Sequence, residues 1–217
     1  MGLDLANNSG WAWRDSDRHR SSIECGVISV SEYDWEEKYA IFANQFLPLI
    51  RRVKPDFVAI ERPEHGVRQF AKAGPPDLTG HQQQAMTINP AALQLTGIAG
   101  AAIAVCTLLR IPYGTIAATS WRPVYFGKGF KPKRDQIQDR KTGKMKEGSL
   151  DWKQAAIDVC NLEQIKLPST KKDQKDAAEA VGICTCWHKC DVPNIKWMQD
   201  RFIALRTGAA QKKALAA

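Results

Sequence analysis

The chain has no long uninterrupted hydrophobic run. Its most apolar stretch, Ala91 to Leu109, is broken by Gln94, Thr96 and Thr107 and is built on alanine and glycine rather than leucine. That excludes a membrane span and predicts a buried helix. No leader segment is expected, because Asp4 would interrupt its apolar stretch. Six cysteines (Cys25, Cys106, Cys160, Cys184, Cys186, Cys190) form no disulfide framework for a chain of this size, which favours a reducing cytosol. Paired Cys-x-x-Cys knuckles are missing too. Cys184, Cys186, His188 and Cys190 alternate instead, which reads as core cysteines at a helix end rather than a zinc site. No internal repeat is visible. Acidic residues are in deficit: 23 Asp and Glu stand against 31 Lys and Arg, a net charge of +8. Such an excess favours a polyanionic partner, nucleic acid before anionic membrane.

A chain of 217 residues suffices for one substantial core plus appendages. Strands are expected at Leu3–Ala6, from Trp11 to Trp13 and over Ser22–Val30. Tyr39, Phe42, Phe46, Leu49 and Ile50 repeat at helical spacing, predicting a helix over Glu36–Arg52 that ends before Pro55. Asp56–Glu61 reads as a short buried strand. Residues 62–89 are polar, with Gly, Pro and a Gln82–Gln84 run, and read as a long loop or a mobile element, of the kind that is usually functional or disordered. A helix should follow Pro90, then a strand over Pro112–Ala117 and a short helix capped by Thr119–Ser120. Lys128, Lys131, Lys133, Arg134, Arg140, Lys141, Lys144 and Lys146 against Asp135 and Asp139 make a basic loop. Helices over Asp151–Cys160 and Lys175–His188 come next, and from about Gly208 the chain should fray. This order predicts an α/β fold, a mixed five-stranded sheet flanked by helices, over residues 1–190, with a basic insertion at about 130–150. Residues 191–217 would form a C-terminal helix and flexible tail.

Asp4 sits inside the first strand, Glu61 ends the fourth, and Asp173 and Asp176 stand one turn apart on one helix face. Each alone has a structural account: a turn acid, a strand end, helix N-terminal charges. Together they suggest a carboxylate cluster, costly to bury unless a cation neutralises it. Mg²⁺ suits carboxylate oxygens. Two such ions about 3.5–4 Å apart activate a water and stabilise a leaving oxygen in phosphodiester cleavage.

In order along the chain, "GLDLANNSGWA", "VAIERP", "TINPAALQLTGIAGAAIAVCTLLRIPYGTIAATSW", "FGKG", "DWKQAAIDV" and "KDQKDAAEAVGICTCWH" resemble motifs of the RuvC family of Holliday junction resolvases, in the ribonuclease H-like superfamily. The likeness spans roughly residues 2–188. It implies a ribonuclease H-like fold and a Mg²⁺- or Mn²⁺-dependent endonuclease with two ions per site, held by Asp4, Glu61, Asp173 and Asp176. It implies Lys153 as the lysine near the scissile phosphate, and a homodimer making paired nicks in branched DNA: four-way junctions, or flaps and forks. The cell would be bacterial or phage-infected, and no membrane is involved. The chain departs from the family in its short first strand, its basic insertion, Glu179 and the "CTCWHKC" end, which look phage-like or divergent.

Lys128, Lys131, Lys133 and Arg134 are expected to contact DNA phosphates without reading sequence. Phe70, flanked by Arg68 and Lys72, suits stacking on an unpaired base or folding back on the core. His65 and His81 lie in the same polar segment, suited to phosphate contact or to solvent. Trp121, Trp152 and Trp197 should pack in the core. Gly97 and Gly100 permit close approach of the Ala91–Leu109 helix to its own sheet or to a second subunit, with Ala101 or Ala104 facing outward. A non-catalytic nucleic-acid-binding module and a sugar-kinase/actin-like ATPase fragment are the alternatives. The four acids argue against the first and the chain length against the second.

Overall fold

A computed structural model describes the backbone of residues 1–63, 69–76, 82–88, 90–138, 143 and 145–215; side chains are described outside 64–91, 137–142, 144, 146 and 209–217. In chain order come β1 (Gly2–Asp4), β2 (Asn8–Trp13), β3 (Glu24–Ser29), α1 (Lys38–Val53), β4 (Val58–Glu61), β5 (Gln69–Pro76), β6 (Gln82–Ile88) and α2 (Pro90–Leu108). Then follow β7 (Tyr113–Ile116), α3 (Ala118–Phe126), β8 (Arg134–Gln138), β9 (Met145–Leu150), α4 (Trp152–Leu162), α5 (Lys171–Thr185) and α6 (Lys196–Leu215). One mixed sheet of five strands runs in the order β3-β2-β1-β4-β7, antiparallel across the first three and parallel from β1 to β7. This is the ribonuclease H-like layout that the sequence predicts.

Alternation along the strands sorts residues between two layers of helices. Leu3, Val58 and Ile60 pack with Phe42, Phe46 and Ile50 of α1 and with Ile98, Ala102 and Cys106 of α2. The opposite face carries Gly2, Asp4, Ala12, Ala59 and Glu61, and α5 lies across it. Two glycines set how closely. A Cβ on Gly2 would stand 2.4 Å from the Cys184 nitrogen and 2.5 Å from the Ala180 carbonyl; one on Gly10 would stand 2.0 Å from the Asp176 carbonyl. The helix backbone therefore rests on the strands, which only Gly2, Gly10 and the small Ala177, Ala178 and Ala180 allow. Gly10→Ala should consequently lower stability by about 1–3 kcal/mol through forced displacement of α5. A thermal melt checks it, and an unchanged midpoint would mean that α5 has slack.

Several expectations need correction. Residues 62–89 are not simply a loop: β5 and β6 pair as an antiparallel hairpin outside the main sheet. The basic stretch likewise forms the hairpin β8–β9. Both are two-stranded sheets apart from the main one, held by backbone pairing that requires no apolar alternation. Thr119 and Ser120 do not cap α3; Ala117 holds the cap position without a side-chain bond. Helix α5 starts at Lys171, capped by Thr170, whose hydroxyl accepts from the Asp173 N–H. Helix α6 runs from Lys196 through Leu215, and Met198 and Phe202 bury its inner face. Trp121 is fully buried and Trp152 half-buried, but Trp197 is exposed. Cys184, Cys186 and Cys190 are core residues as expected. Among the described residues no helix is long and apolar enough to cross a membrane.

Candidate active site

Asp4 ends β1 and Glu61 ends the neighbouring parallel β4. Their register, Gly2 beside Ala59 and Leu3 beside Ile60, carries Asp4 to the side of Glu61, both on the α5 face. Burial raises the Asp4 pKa well above its ordinary 3.8; the charges of Glu61 and Glu179 raise it further, against the pull of Lys153. Asp4 therefore holds a proton more tightly than a solvated aspartate.

From α5, Asp176 and Glu179 complete the cluster, one turn apart and both buried. Lys153 of α4 donates to Asp176 Oδ1 at 2.5 Å and lies 3.5 Å from Glu179 Oε2. Arg122 of α3 donates from Nη2 to Glu179 Oε1 at 3.1 Å, its guanidinium stacked over Trp152 at 5.0 Å and Trp121 at 5.5 Å. Trp121 Nε1 approaches Glu61 Oε1 at 3.5 Å. Burial opposes the Lys153 ammonium, yet the Asp176 hydrogen bond and the charges of Asp4, Glu179 and Asp176 outweigh it and raise its pKa. Burial raises the Glu179 carboxyl; Lys153 lowers it, Glu61 raises it and Arg122 lowers it. Four carboxyl groups thus face two cations in a desolvated place, with Asp4 and Glu179 both holding their protons more tightly than in water.

The structure brings Asp4, Glu61, Asp176 and Lys153 together as the sequence suggests. Asp173 is different: it is half-buried in the first turn of α5, while the groups acting most strongly on Asp4 are Glu61, Glu179 and Lys153. Glu179, a departure from the family pattern, is the α5 acid whose charge acts on Asp4. The sequence carries two overlapping acid-x-x-acid pairs, Asp173/Asp176 and Asp176/Glu179. The second lies among Ala177, Ala178 and Ala180, the small residues that pack on the sheet. The first lies among the exposed Lys171 and Lys172 and the half-buried Gln174 and Lys175. Arg122 and Trp121 were missed as well, since only the tertiary fold takes α3 to this cluster.

Of the residues expected to meet DNA, Lys128, Lys131 and Lys133 are exposed around the turn between α3 and β8. Arg134 is already engaged, with Glu147 at 3.6 Å and the Gly148 carbonyl at 3.1 Å. Arg68, His65 and His81 lie outside the described residues. Phe70 and Lys72 fall on β5, but their side chains lie outside them too.

Solved resolvases share this fold. RuvC of Thermus thermophilus matches with a TM-score of 0.51 at 13% identity, over 88% of this chain and 97% of that one. T. thermophilus RuvC in complex with Holliday junction substrate gives 0.50 at 12% identity, over 84% and 88%. The yeast mitochondrial Holliday junction resolvase Ydc2 gives 0.50 at 14% identity, over 97% and 82%. No protein-family model matches the chain, and no curated protein is similar to it in sequence. The fold is that of RuvC-like resolvases.

Among the described residues no three ligand side chains already stand at metal-binding spacing. The chemistry of the donors nevertheless fits a hard divalent cation: oxygen only, from two strand ends and one helix, with more carboxyls than cationic side chains.

Proposed function

We propose that the protein is a metal-dependent, structure-selective DNA endonuclease acting on branched DNA, four-way junctions first and flaps or forks as related substrates. One observation carries the reading: Asp4, Glu61 and Glu179 act on one another at the carboxyl ends of β1 and β4 in a RuvC-like sheet, and Lys153 bridges Glu179 to Asp176. These four would hold Mg²⁺ or Mn²⁺, two ions per site. Such ions, when bound, neutralise the scissile phosphate and the charge developing on attacking and leaving oxygens. The rigid strand ends orient Asp4 and Glu61, and the Arg122 bond orients Glu179. Lys153, anchored by Asp176 and Glu179, presents positive charge to the scissile phosphate. Lys128, Lys131 and Lys133 position flanking phosphates without reading sequence. Asp173 serves the N-terminus of α5 electrostatically.

Cleavage of end-labelled junction, flap, fork and linear duplex in Mg²⁺ or Mn²⁺ tests the reading. Symmetric nicks at the junction, leaving 5′ phosphate and 3′ hydroxyl ends, are expected. Tight binding with no cleavage in either metal would leave a non-catalytic binding module.

Paired nicks require two sites held together, hence a C₂ homodimer. Helix α2 supplies a suitable face. Leu93 is 53% exposed and Leu108 83%, with exposed Gly100 and Ala104 between them on one line of the helix. A Cβ on Gly100 would meet nothing within 4 Å, whereas Gly97 is closed off by the Tyr39 ring of its own chain. Ala101 packs on the core, so Ala104 is the outward alanine. Light scattering should give about twice 24.2 kDa for the wild type and 24.2 kDa for Ala104→Glu. A wild type that is monomeric both free and on junction DNA would remove the paired-nick mechanism.

A further inference from the structure

We propose that Phe130 is a stacking platform for an unpaired base at the branch point, beside the cleaved bond; this rests on the nuclease reading above. Phe130 sits just beyond α3, on the turn 127–130 that opens the way to β8. Its ring lies nearly parallel to Phe126, at 17° and 5.2 Å between centroids, and approaches Trp152 at 6.2 Å. Phe126 and Trp152 are themselves 5.5 Å apart. Phe130 is therefore backed by an aromatic layer and still 43% exposed. The turn stands clear of the protein. Gly127 and Gly129 have φ of +98° and +84°, and a Cβ on either would meet nothing within 4 Å. A ring held from behind on an open turn offers a π-face with little conformational entropy left to lose on binding.

The charge around it specifies the ligand. Lys128, Lys131 and Lys133 flank Phe130 in the chain, all exposed, and among the described residues none of their ammonium groups is paired with a carboxylate. An aromatic face among unpaired cations takes a base by stacking and its adjoining phosphates by charge. An acidic peptide would satisfy the lysines but leave the ring without a planar partner. The aromatic layer also leads inward. Trp152 carries the Arg122 guanidinium at 5.0 Å, Arg122 bonds Glu179, and Trp152 immediately precedes Lys153 in the chain. A base stacked on Phe130 thereby places its strand alongside the carboxylate cluster without entering it. Duplex DNA has no free base face to offer, so the platform favours branch points over continuous helix.

The test is binding in EDTA, where no cleavage occurs, of a four-way junction carrying an unpaired nucleotide at the branch and of a blunt duplex of equal length. Three full-length variants are compared: Phe130→Ala, Phe130→Leu, which keeps apolar cover over Phe126 but has no π-face, and Phe130→Trp. Leu and Ala should weaken junction binding roughly 5- to 100-fold, leave duplex binding within about twofold, and be rescued by Trp. Leu binding like wild type overturns the proposal. So does an equal loss on duplex and junction, or a Trp variant as weak as Leu, since either marks a purely structural ring. A wild type that binds junctions but never cuts them overturns the nuclease reading and leaves the stacking comparison decisive. A wild type that binds no branched DNA overturns both.

Discussion

Glu179→Gln should lose cleavage by three orders of magnitude or more, about 4 kcal/mol of transition-state stabilisation, while Asp173→Asn stays near wild type. The two residues lie on the same helix, on either side of Asp176. Their surroundings differ. Glu179 is buried, bonded to Arg122 at 3.1 Å, 3.5 Å from Lys153, and felt electrostatically by Asp4. Asp173 sits in the first turn, where its N–H is capped by Thr170. Glutamine keeps the volume of Glu179 and an oxygen to accept from Arg122, so the fold should persist and only the ligand charge is lost. Asp4→Asn, Glu61→Gln and Asp176→Asn should match Glu179→Gln, with junction binding retained in all four. Single-turnover cleavage of a labelled junction separates the possibilities. A dead Asp173→Asn beside an active Glu179→Gln would return the ligand set to the Asp173/Asp176 pair.

That pair shows where the sequence was legible and where it was not. Asp4 and Glu61 stand out because a carboxylate in an apolar strand contradicts its surroundings, and such contradictions tend to mark function. Parallel pairing of β1 with β4 then makes them neighbours. On α5 the acids recur at every third residue, so spacing alone permits two pairs. Only burial chooses, and burial follows from the alanines that let the helix rest on Gly2 and Gly10. Lys153 was placed through family resemblance and does reach Asp176. Arg122 and Trp121 could not be read locally, because their partners Glu179 and Glu61 are far away in the chain. Phe130 carried a readable signal in "FGKGFKPKR", an aromatic in a glycine- and lysine-rich turn. It becomes a candidate only when Phe126 and Trp152 are seen behind it. The two hairpins pair apart from the main sheet, through backbone groups that leave no side-chain pattern to read.

Without metal, Asp4→Asn should make the protein more stable, not less. Burial first, then Glu61 and Glu179, raise the Asp4 carboxyl above its ordinary 3.8, and Glu179 is raised in the same sense. An acid with a raised native pKa binds its proton more tightly folded than unfolded. Below the unfolded pKa both states are protonated and nothing is lost. As pH climbs from there through the native value, ionisation favours the unfolded chain and stability falls. Lys153 works the other way: its raised pKa stabilises the fold at all pH values below its ordinary 10.5. Asparagine removes the Asp4 penalty while keeping the shape. In EDTA at neutral pH the gain should be about 1–2 kcal/mol, a midpoint higher by roughly 2–8 °C, shrinking toward pH 4. Saturating Mg²⁺ should reverse the order, because a cation that binds only the native state stabilises the intact carboxylate cluster more than the depleted one. Thermal melts of both proteins across pH, with and without Mg²⁺, give the four curves required. An Asp4→Asn protein that melts lower in EDTA would show that Asp4 is a stabilising structural acid, and that its burial needs no cation to explain it.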